Sequence, residues 1–214
     1  MGAGLIKRYF PGMDQISAQR FEQLEELYIY WNERINVISR KDLSNLYVNH
    51  ILHSLSLAKL IRFTPGENAL DLGTGGGFPG IPLAILNPDV KFTLLDARGK
   101  KIKVVENIAG TLSLNNVEPV HGRAEEFRGA FNYIFSRAVG SFSGLVELSG
   151  GKLIAGIAAR DVHGLYSLKG GDLSGELASW KNKVRIYNIG EFFQEDYFQT
   201  KRIVFLPARE FPLI

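Results

Sequence analysis

Residues 69–80 read Ala-Leu-Asp-Leu-Gly-Thr-Gly-Gly-Gly-Phe-Pro-Gly, an apolar run that ends in an acid and leads into a glycine-rich turn. Glycine has no Cβ, so such a turn can bend sharply and let the backbone approach a ligand closely. A strand that delivers this kind of turn to the start of a helix is how α/β proteins hold nucleotide-like cofactors. The stretch therefore predicts a strand, a cofactor-binding loop and a helix.

Strand-like and helix-like segments alternate after this point, which is typical of a parallel sheet with right-handed crossovers. The predicted strands cover residues 68–72, 91–95, 117–121, 133–135, 165–168, 184–189 and 202–206. The predicted helices cover residues 81–86, 100–114 and 173–180, with another beginning near residue 142. Because no helix separates the last two strands, we expect them to form an antiparallel hairpin at one edge of the sheet.

The segment that precedes the sheet has a helical pattern. Residues 1–16 look irregular, and Ser17 is a suitable N-cap for a helix. Apolar residues then recur in steps of three and four from Phe21 to Ile38, which predicts one buried helix face. A second helix is predicted over residues 43–61.

No linker rich in Pro, Gly or Ser separates this helical segment from the alternating part of the chain. We therefore expect a single domain over residues 1–214. Within it, residues 1–65 form a helical extension, and residues 66–214 form the cofactor-binding α/β core.

Composition limits the possible chemistry. The chain has no cysteine, which excludes disulfides, zinc–thiolate sites and cysteine nucleophiles. A net charge of +3 permits a polyanionic partner without requiring one. No apolar run is long enough to cross a membrane, and the first ten residues lack the apolar region of a signal peptide. A cytoplasmic location without membrane contact is therefore expected. Nothing in the sequence suggests an obligate interface between subunits, so a monomer is expected.

The glycine-rich turn fits two cofactors. Gly75, Gly77 and Gly80 have the spacing of the dinucleotide fingerprint, and Asp96 follows about twenty residues later, where an acid binds ribose. The turn also suits S-adenosylmethionine, with Asp96 again on the ribose hydroxyls. Asp71 at the end of the strand would repel a pyrophosphate, whereas S-adenosylmethionine has none.

The sheet adds weight to the second interpretation, because a closing hairpin after five strand–helix units is typical of methyltransferases. The favoured fold is an α/β, Rossmann-like class I methyltransferase with a seven-stranded, mostly parallel sheet and an N-terminal helical extension. Two alternatives stay open: an NAD(P)-dependent oxidoreductase, and a non-catalytic RNA-binding assembly factor.

The motifs and residues that the sequence lacks narrow the choice of the atom that accepts the methyl group. No Asn/Asp-Pro-Pro-aromatic run, which grips an exocyclic amino group, follows the fourth predicted strand. Without cysteine, covalent attack on a pyrimidine is impossible, and no acid–base pair stands out by its spacing. Guanine N7 has a lone pair and no proton, so its methylation needs no general base and depends on positioning and desolvation.

Six motifs follow one another along the chain: Trp31-Asn32-x-x-x-Asn36-Val-Ile, His50-x-x-x-Ser54-Leu55, Asp71-Leu-Gly-Thr-Gly-Gly-Gly-Phe-Pro-Gly-Ile-Pro-Leu83, Leu94-Leu-Asp96-x-x-x-Lys100-Lys101, His121-Gly-Arg123-Ala-Glu125-Glu126 and Ser136-Arg137-Ala138. Together and in this order they resemble the bacterial 16S ribosomal RNA guanine-N7 methyltransferases, the glucose-inhibited division protein B family. The resemblance covers residues 20–175 and implies S-adenosylmethionine-dependent methyl transfer to N7 of a guanine in 16S ribosomal RNA. The implied partner is this RNA or the small ribosomal subunit.

The resemblance also implies a cofactor site. Ala124 and Glu125 follow the third strand, where the adenine ring is flanked in this fold, and Arg137 ends the fourth strand at the mouth of the site. Arg137 is a candidate positioning residue; whether Arg123 or Arg137 contacts the cofactor carboxylate or guanine O6 stays open. The implied cofactor-binding residues are Gly73, Gly75, Phe78, Asp96, Ala124, Glu125 and Arg137.

Cations near the second strand suggest where RNA binds. Lys100, Lys101 and Arg123 are expected at the rim of the cofactor pocket, where they would face phosphates. His50 and His53 are only two potential metal ligands, so no metal site is expected. The chain departs from the family at His53, where many members have Asp, and over residues 149–163, which do not align easily.

Overall fold

A single sheet forms the centre of the protein. The computed structural model describes residues 2–137, 139–154 and 160–211, with the backbone alone for Arg40 and Lys41. Seven strands of these residues pair in the order β3-β2-β1-β4-β5-β7-β6. They are β1 (Asn68–Leu72), β2 (Lys91–Asp96), β3 (Val117–His121), β4 (Tyr133–Arg137), β5 (Gly164–Gly170), β6 (Arg185–Asn188) and β7 (Lys201–Pro207).

The pairing directions follow the expected pattern. β1 to β5 run parallel, and β7 runs antiparallel to both β5 and β6. The predicted seven-stranded, mostly parallel α/β sheet with an antiparallel edge hairpin is confirmed. β1 lies between β2 and β4, so the strand order reverses there. In open α/β sheets, ligands bind at such a reversal, beyond the carboxyl ends of the strands.

Helices cover both faces of the sheet. They are α1 (Gly2–Tyr9), α2 (Gln15–Asn32), α3 (Arg40–Leu43), a π-helical segment (Leu46–Leu52), α4 (His53–Leu55), α5 (Leu57–Leu60), α6 (Gly80–Leu86), α7 (Gly99–Thr111) and α8 (Phe142–Ser149), with short 3₁₀ turns at Ala178–Trp180, Ile189–Glu191, Asp196–Phe198 and Ala208–Glu210. Alternate residues of one strand enter two different cores, because successive side chains point to opposite faces. Leu70 packs in the core that contains Phe142, whereas Ala69 packs in the core that contains Phe21 of α2. No described helix combines the length and the hydropathy that a bilayer crossing requires.

The helical extension differs from the sequence prediction at its start. Residues 2–9 form α1 rather than an irregular segment, and Ile6 of α1 is fully buried. The N-cap of α2 is Asp14 rather than Ser17. The Asp14 carboxylate accepts hydrogen bonds from the Ser17 backbone N–H (2.9 Å) and hydroxyl (2.6 Å), which places Ser17 inside the first turn.

The predicted helix over residues 43–61 is also wrong in its continuity. The chain forms α3, the π-helical segment, α4 and α5 instead. Two serines give the backbone alternative partners there: the Ser54 hydroxyl donates to the His50 carbonyl and the Ser56 hydroxyl to the His53 carbonyl, both at 2.6 Å. Side-chain bonds of this kind compete with the regular helix ladder.

The predicted helix over residues 173–180 is likewise wrong. Leu173 and Leu177 are buried and joined by one turn, in which the Leu177 N–H donates to the Leu173 carbonyl, and only the 3₁₀ turn follows. The fifth strand was predicted correctly. In the segment that did not align, Leu153 forms a single β-bridge with Phe131, and residues 155–159 lie outside the described residues.

Candidate active site

A cleft of about 630 Å³ opens at the carboxyl ends of β1, β2 and β4. This is the edge of the sheet where the strand order reverses. Every residue implied for cofactor binding lines it, as do two of the three cations expected to face RNA. These residues are Gly73, Gly75, Phe78, Asp96, Lys101, Arg123, Ala124, Glu125 and Arg137. The third cation, Lys100, is exposed on α7 outside the cleft.

The glycine loop is packed from two sides. Gly73 has a φ of +75°, and a Cβ there would lie 2.5 Å from Val139 Cγ2. A Cβ on Gly76 would lie 2.2 Å from Val37 Cγ1. Distances this short are not tolerated, so these two positions must be glycine for the neighbouring side chains to sit where they do. Val37 lies far away in sequence, and although it stands in the motif that begins at Trp31, nothing in that motif indicated a contact with Gly76.

Asp71 closes the loop from beneath. Its Oδ2 accepts hydrogen bonds from the Thr74 hydroxyl (2.7 Å) and from the Gly80 N–H (2.8 Å), the first residue of α6. Asp71 is completely buried, and this burial raises the pKa of its carboxyl to about 7. A dinucleotide pyrophosphate binds the free N–H groups at such a helix start. Here the protein's own carboxyl group takes that place.

Asp96 at the end of β2 is held in a fixed orientation. Its Oδ2 accepts the Gly75 N–H at 2.9 Å, and its Oδ1 accepts the Arg98 N–H at 2.8 Å. The side chain is only 5 % exposed, yet it lines the cleft. Each carboxylate oxygen has two lone pairs, so the group can still accept hydroxyl hydrogen bonds from the cleft side.

The loop between α2 and α3 covers one side of the cleft. Asn32 Oδ1 accepts the N–H groups of Val37 and Ile38, both at 2.8 Å. The Lys101 ammonium donates to the Asn36 carbonyl at 2.6 Å and to the Val37 carbonyl at 3.2 Å. The sequence suggested a phosphate contact for Lys101, whereas in the structure this lysine fastens the loop to α7. Arg123 is exposed at the rim.

Tyr28 of α2 supports the loop from the extension. Its hydroxyl donates to the Gly76 carbonyl at 2.8 Å, and its ring stacks on Phe78 with 4.8 Å between centroids. Phe78 is 3 % exposed, so its ring belongs mainly to this stack. Burial raises the pKa of the Tyr28 hydroxyl, which keeps it a donor.

Arg137 at the end of β4 has neutral partners. Its Nη2 donates to His50 Nδ1 at 2.7 Å and its Nη1 to the Asn49 carbonyl at 3.3 Å. Its guanidinium carbon lies 5.1 Å from the centroid of the Phe78 ring. Burial and the nearby guanidinium lower the pKa of His50 to about 3, so this histidine is uncharged at neutral pH.

Comparison with known proteins gives the family. A model of the family described as rRNA small subunit methyltransferase G (GidB) matches residues 17–189. The chain belongs to this family. It is 48 % identical over 209 residues to the ribosomal RNA small subunit methyltransferase G of Christiangramia forsetii, and this alignment covers 96 % of this chain and 97 % of that protein. The protein of the same name from Porphyromonas gingivalis is 47 % identical over 208 residues, covering 96 % and 94 %.

Solved structures agree on the fold. A crystal structure of a SAM-dependent methyltransferase from Aquifex aeolicus aligns with a TM-score of 0.51 at 15 % identity, covering 80 % of this chain and 99 % of the other. At this identity the likeness shows the fold alone. The resemblance to the GidB family and the class I methyltransferase fold, both expected from sequence, are confirmed. An oxidoreductase or a non-catalytic assembly factor is not favoured.

Proposed function

We propose that this methyltransferase uses S-adenosylmethionine to methylate N7 of a guanine in small-subunit ribosomal RNA, in the cytoplasm where ribosomes assemble. The names of its relatives support the RNA. The start of α6 supports the cofactor, because the Asp71 carboxyl group already accepts the Gly80 N–H, which a pyrophosphate would otherwise bind, while the cleft remains open beside it. A nucleoside that carries a sulfonium group in place of phosphates fits such a cleft.

The proposed cofactor contacts follow from the lining of the cleft. Asp96 is assigned to the ribose hydroxyls, since its carboxylate is oriented by two backbone N–H groups. Gly73 and Gly75 give the amino-acid part of the cofactor access to the backbone. Ala124 and Glu125 follow β3 on the opposite wall and are assigned to the adenine ring. Phe78 supports the loop from below.

The chemistry requires little from the protein beyond positioning. Bound S-adenosylmethionine supplies an electrophilic methyl group: the N7 lone pair forms the new bond while the carbon–sulfur bond breaks, its electron pair goes to sulfur and no proton is released. No general base is therefore needed. The residues hold two reactants in line and exclude water.

We further propose that the chain acts as one domain over residues 1–214 and as a monomer. One hydrophobic core joins Phe21 and Leu24 of the extension to Ile81 and Leu83 of α6, which supports the single domain. Only four large apolar side chains are exposed among the described residues, three on α2 and one on β6, and this small number supports the monomer. They are Ile16, Ile29, Tyr30 and Ile186.

A product analysis tests this function. Small ribosomal subunits that lack the modification, and the RNA extracted from them, are each incubated with the protein and methyl-labelled S-adenosylmethionine, and the RNA is digested to nucleosides. All label is expected in 7-methylguanosine. Label in another nucleoside would contradict the N7 assignment, and RNA binding without transfer would favour an assembly factor. Asp96→Ala is the matched inactive control.

A further inference from the structure

A second, smaller cavity of about 340 Å³ lies next to the cleft. The π-helical segment and α4 form one wall with Asn49, His50 and His53, and the ends of β4 and β5 form another. Arg137 lines both the cleft and this cavity, and it is the residue that the two have in common. A volume of this size is at the lower end of the range for small-molecule sites, about 300–1,000 Å³.

Arg137 carries a positive charge that the described residues leave without an ion-pair partner. Its recorded hydrogen bonds go to an imidazole nitrogen and to a backbone carbonyl, both neutral. No carboxylate of the described chain lies within ion-pair distance of it, unlike Lys169, which pairs with Glu176 at 2.8 Å. A partly buried charge without a hydrogen-bonded ion-pair partner is costly, so this position favours an electron-rich ligand atom.

The histidines beside Arg137 stay neutral. An arginine can only donate hydrogen bonds, so His50 Nδ1 must be the acceptor and the proton of this imidazole lies on Nε2. His53 is 5 % exposed, and its burial together with the nearby Arg137 lowers its pKa well below the usual value. Nε2 of each ring is buried without a hydrogen-bond partner in the described structure. The two histidines therefore add no charge beside the guanidinium, and the counter-charge on this cavity wall is the Asp42 carboxylate, which makes no ion pair with Arg137.

We propose that this second cavity receives the acceptor guanine and that Arg137 selects it by donating a hydrogen bond to O6. This inference rests on the function proposed above. On guanine, O6 and N7 are neighbouring acceptors on one edge, whereas adenine presents an amino group, a donor, in place of O6. Because Arg137 stands at the boundary between cavity and cleft, a base with O6 on Arg137 directs N7 towards the cleft. Adenine would place a donor against a donor.

Two further groups suit the rest of the nucleotide. Asp42 lines the cavity and is held by the Ser39 hydroxyl (2.6 Å) and the Asn49 amide (2.9 Å). Its carboxylate is an acceptor for the N–H groups on the Watson–Crick edge of guanine. Lys201 also lines the cavity, 4.6 Å from the Tyr197 ring centroid, and has no carboxylate partner in the described chain. It is placed to meet a phosphate of a nucleotide flipped out of the RNA.

Two variants test the cavity. Arg137→Met removes the donor. Gly170→Leu fills the cavity: the backbone there permits a side chain, and its Cβ would meet mainly the flexible end of Lys201, at 3.2 Å. Arg185→Met, an exposed arginine of β6 that lines neither cavity, is the control. Each variant is checked by thermal unfolding, so a failure of Arg137→Met to fold leaves Gly170→Leu as the test.

Two readouts separate the possible results. Single-turnover transfer to saturating ribosomal subunits is expected to fall at least about 100-fold in both variants, because misplacement of the base by about 1 Å has that effect. The dissociation constant of S-adenosylhomocysteine is expected to stay within about threefold of wild type. Parallel loss of cofactor affinity in Arg137→Met would instead assign Arg137 to the cofactor. Wild-type transfer rates in either folded variant would also overturn the proposal.

A base analogue tests the O6 contact itself. Once the labelled position is mapped, 2-aminopurine, which lacks O6, replaces guanine there. The rate of the wild-type protein is expected to be lower on 2-aminopurine than on guanine. The rate of Arg137→Met is expected to be the same on both bases, since this variant already lacks the contact to O6. Additive losses would contradict the contact. If the wild-type protein makes no 7-methylguanosine on unmodified RNA, the proposed function itself fails. If it does make 7-methylguanosine but the variants behave like wild type, only the role of Arg137 and the second cavity fails.

Discussion

The Tyr28 hydroxyl donates a hydrogen bond to the Gly76 carbonyl, so the N-terminal extension directly supports the glycine loop. Tyr28→Phe keeps the stack on Phe78 and leaves this buried carbonyl unpaired. We expect a loss of about 1 kcal/mol in the free energy of unfolding and weaker binding of S-adenosylhomocysteine. Urea unfolding and calorimetry measure the two effects. Tyr30→Phe changes an exposed ring of the same helix and is the control. If Tyr28→Phe were as stable as Tyr30→Phe and bound S-adenosylhomocysteine equally well, the extension would not support the glycine loop.

Asp71 is expected to matter for both stability and cofactor binding. Asp71→Ala leaves the Thr74 hydroxyl and the Gly80 N–H without their partner in the interior. The expected cost is about 2–6 kcal/mol for the two donors, because each unpaired buried donor costs about 1–3 kcal/mol. The folded variant should bind S-adenosylhomocysteine at least about tenfold more weakly, the equivalent of 1.4 kcal/mol. Asp89→Ala, an exposed acid, is the control; an Asp71 variant as stable as this control would refute the role.

Lys101 and its neighbour Lys100 are expected to behave differently. Lys101→Met removes two bonds to the covering loop and should weaken S-adenosylhomocysteine binding about three- to tenfold. Lys100→Met should leave cofactor affinity unchanged. If Lys100 contacts phosphate, the variant reduces the slope of log RNA affinity against log salt by about 1. A reduced salt slope in Lys101→Met with full cofactor affinity would restore the phosphate contact suggested by the sequence.

Stability should fall in mild acid through His50. Its pKa is about 3 in the folded protein and 6.5 in an unfolded chain, so between these values the unfolded state binds the extra proton. The free energy of unfolding therefore decreases as pH falls through this window and is unaffected by His50 above it. From pH 7.5 to 5.5, wild type should lose about 1 kcal/mol more than His50→Gln in urea unfolding. Asp71 acts with the opposite sign, but it is present in both proteins. If both proteins lost the same free energy of unfolding, the pKa of His50 would not be lowered in the folded protein.

Local patterns predicted the parts of this protein that depend on nearby residues. The roles of β1, of the glycines after it and of Asp96 at the end of β2 could be inferred from the residues directly beside them in the sequence. The N-cap was misassigned because Asp14 and Ser17 are both good caps, and only the direction of their hydrogen bonds separates them. The helix over residues 43–61 fails because its serines bond to backbone carbonyls, which apolar periodicity does not register.

Contacts between distant segments could not be predicted in this way. Val37 on Gly76 and Lys101 on the Asn36 carbonyl join parts of the chain that only the folded structure brings together. The same holds for the second cavity, since His50 and Arg137 are 87 residues apart. The sequence left open whether Arg137 serves cofactor or base, because that choice depends on its position between two cavities.

Calorimetric titration with S-adenosylhomocysteine and, separately, with NADH tests the central claim most directly. The claim is that the cleft prefers S-adenosylmethionine to a dinucleotide. Asp71 accepts the Gly80 N–H at the start of α6, where a pyrophosphate would bind, and Asp96 is oriented to bind the ribose hydroxyls. Wild type is expected to bind S-adenosylhomocysteine and give no heat with NADH. Asp96→Ala is expected to lose about 1.5–3 kcal/mol of binding free energy for S-adenosylhomocysteine, the contribution of a hydrogen bond to a charged group. Binding of NADH with no binding of S-adenosylhomocysteine would contradict the account.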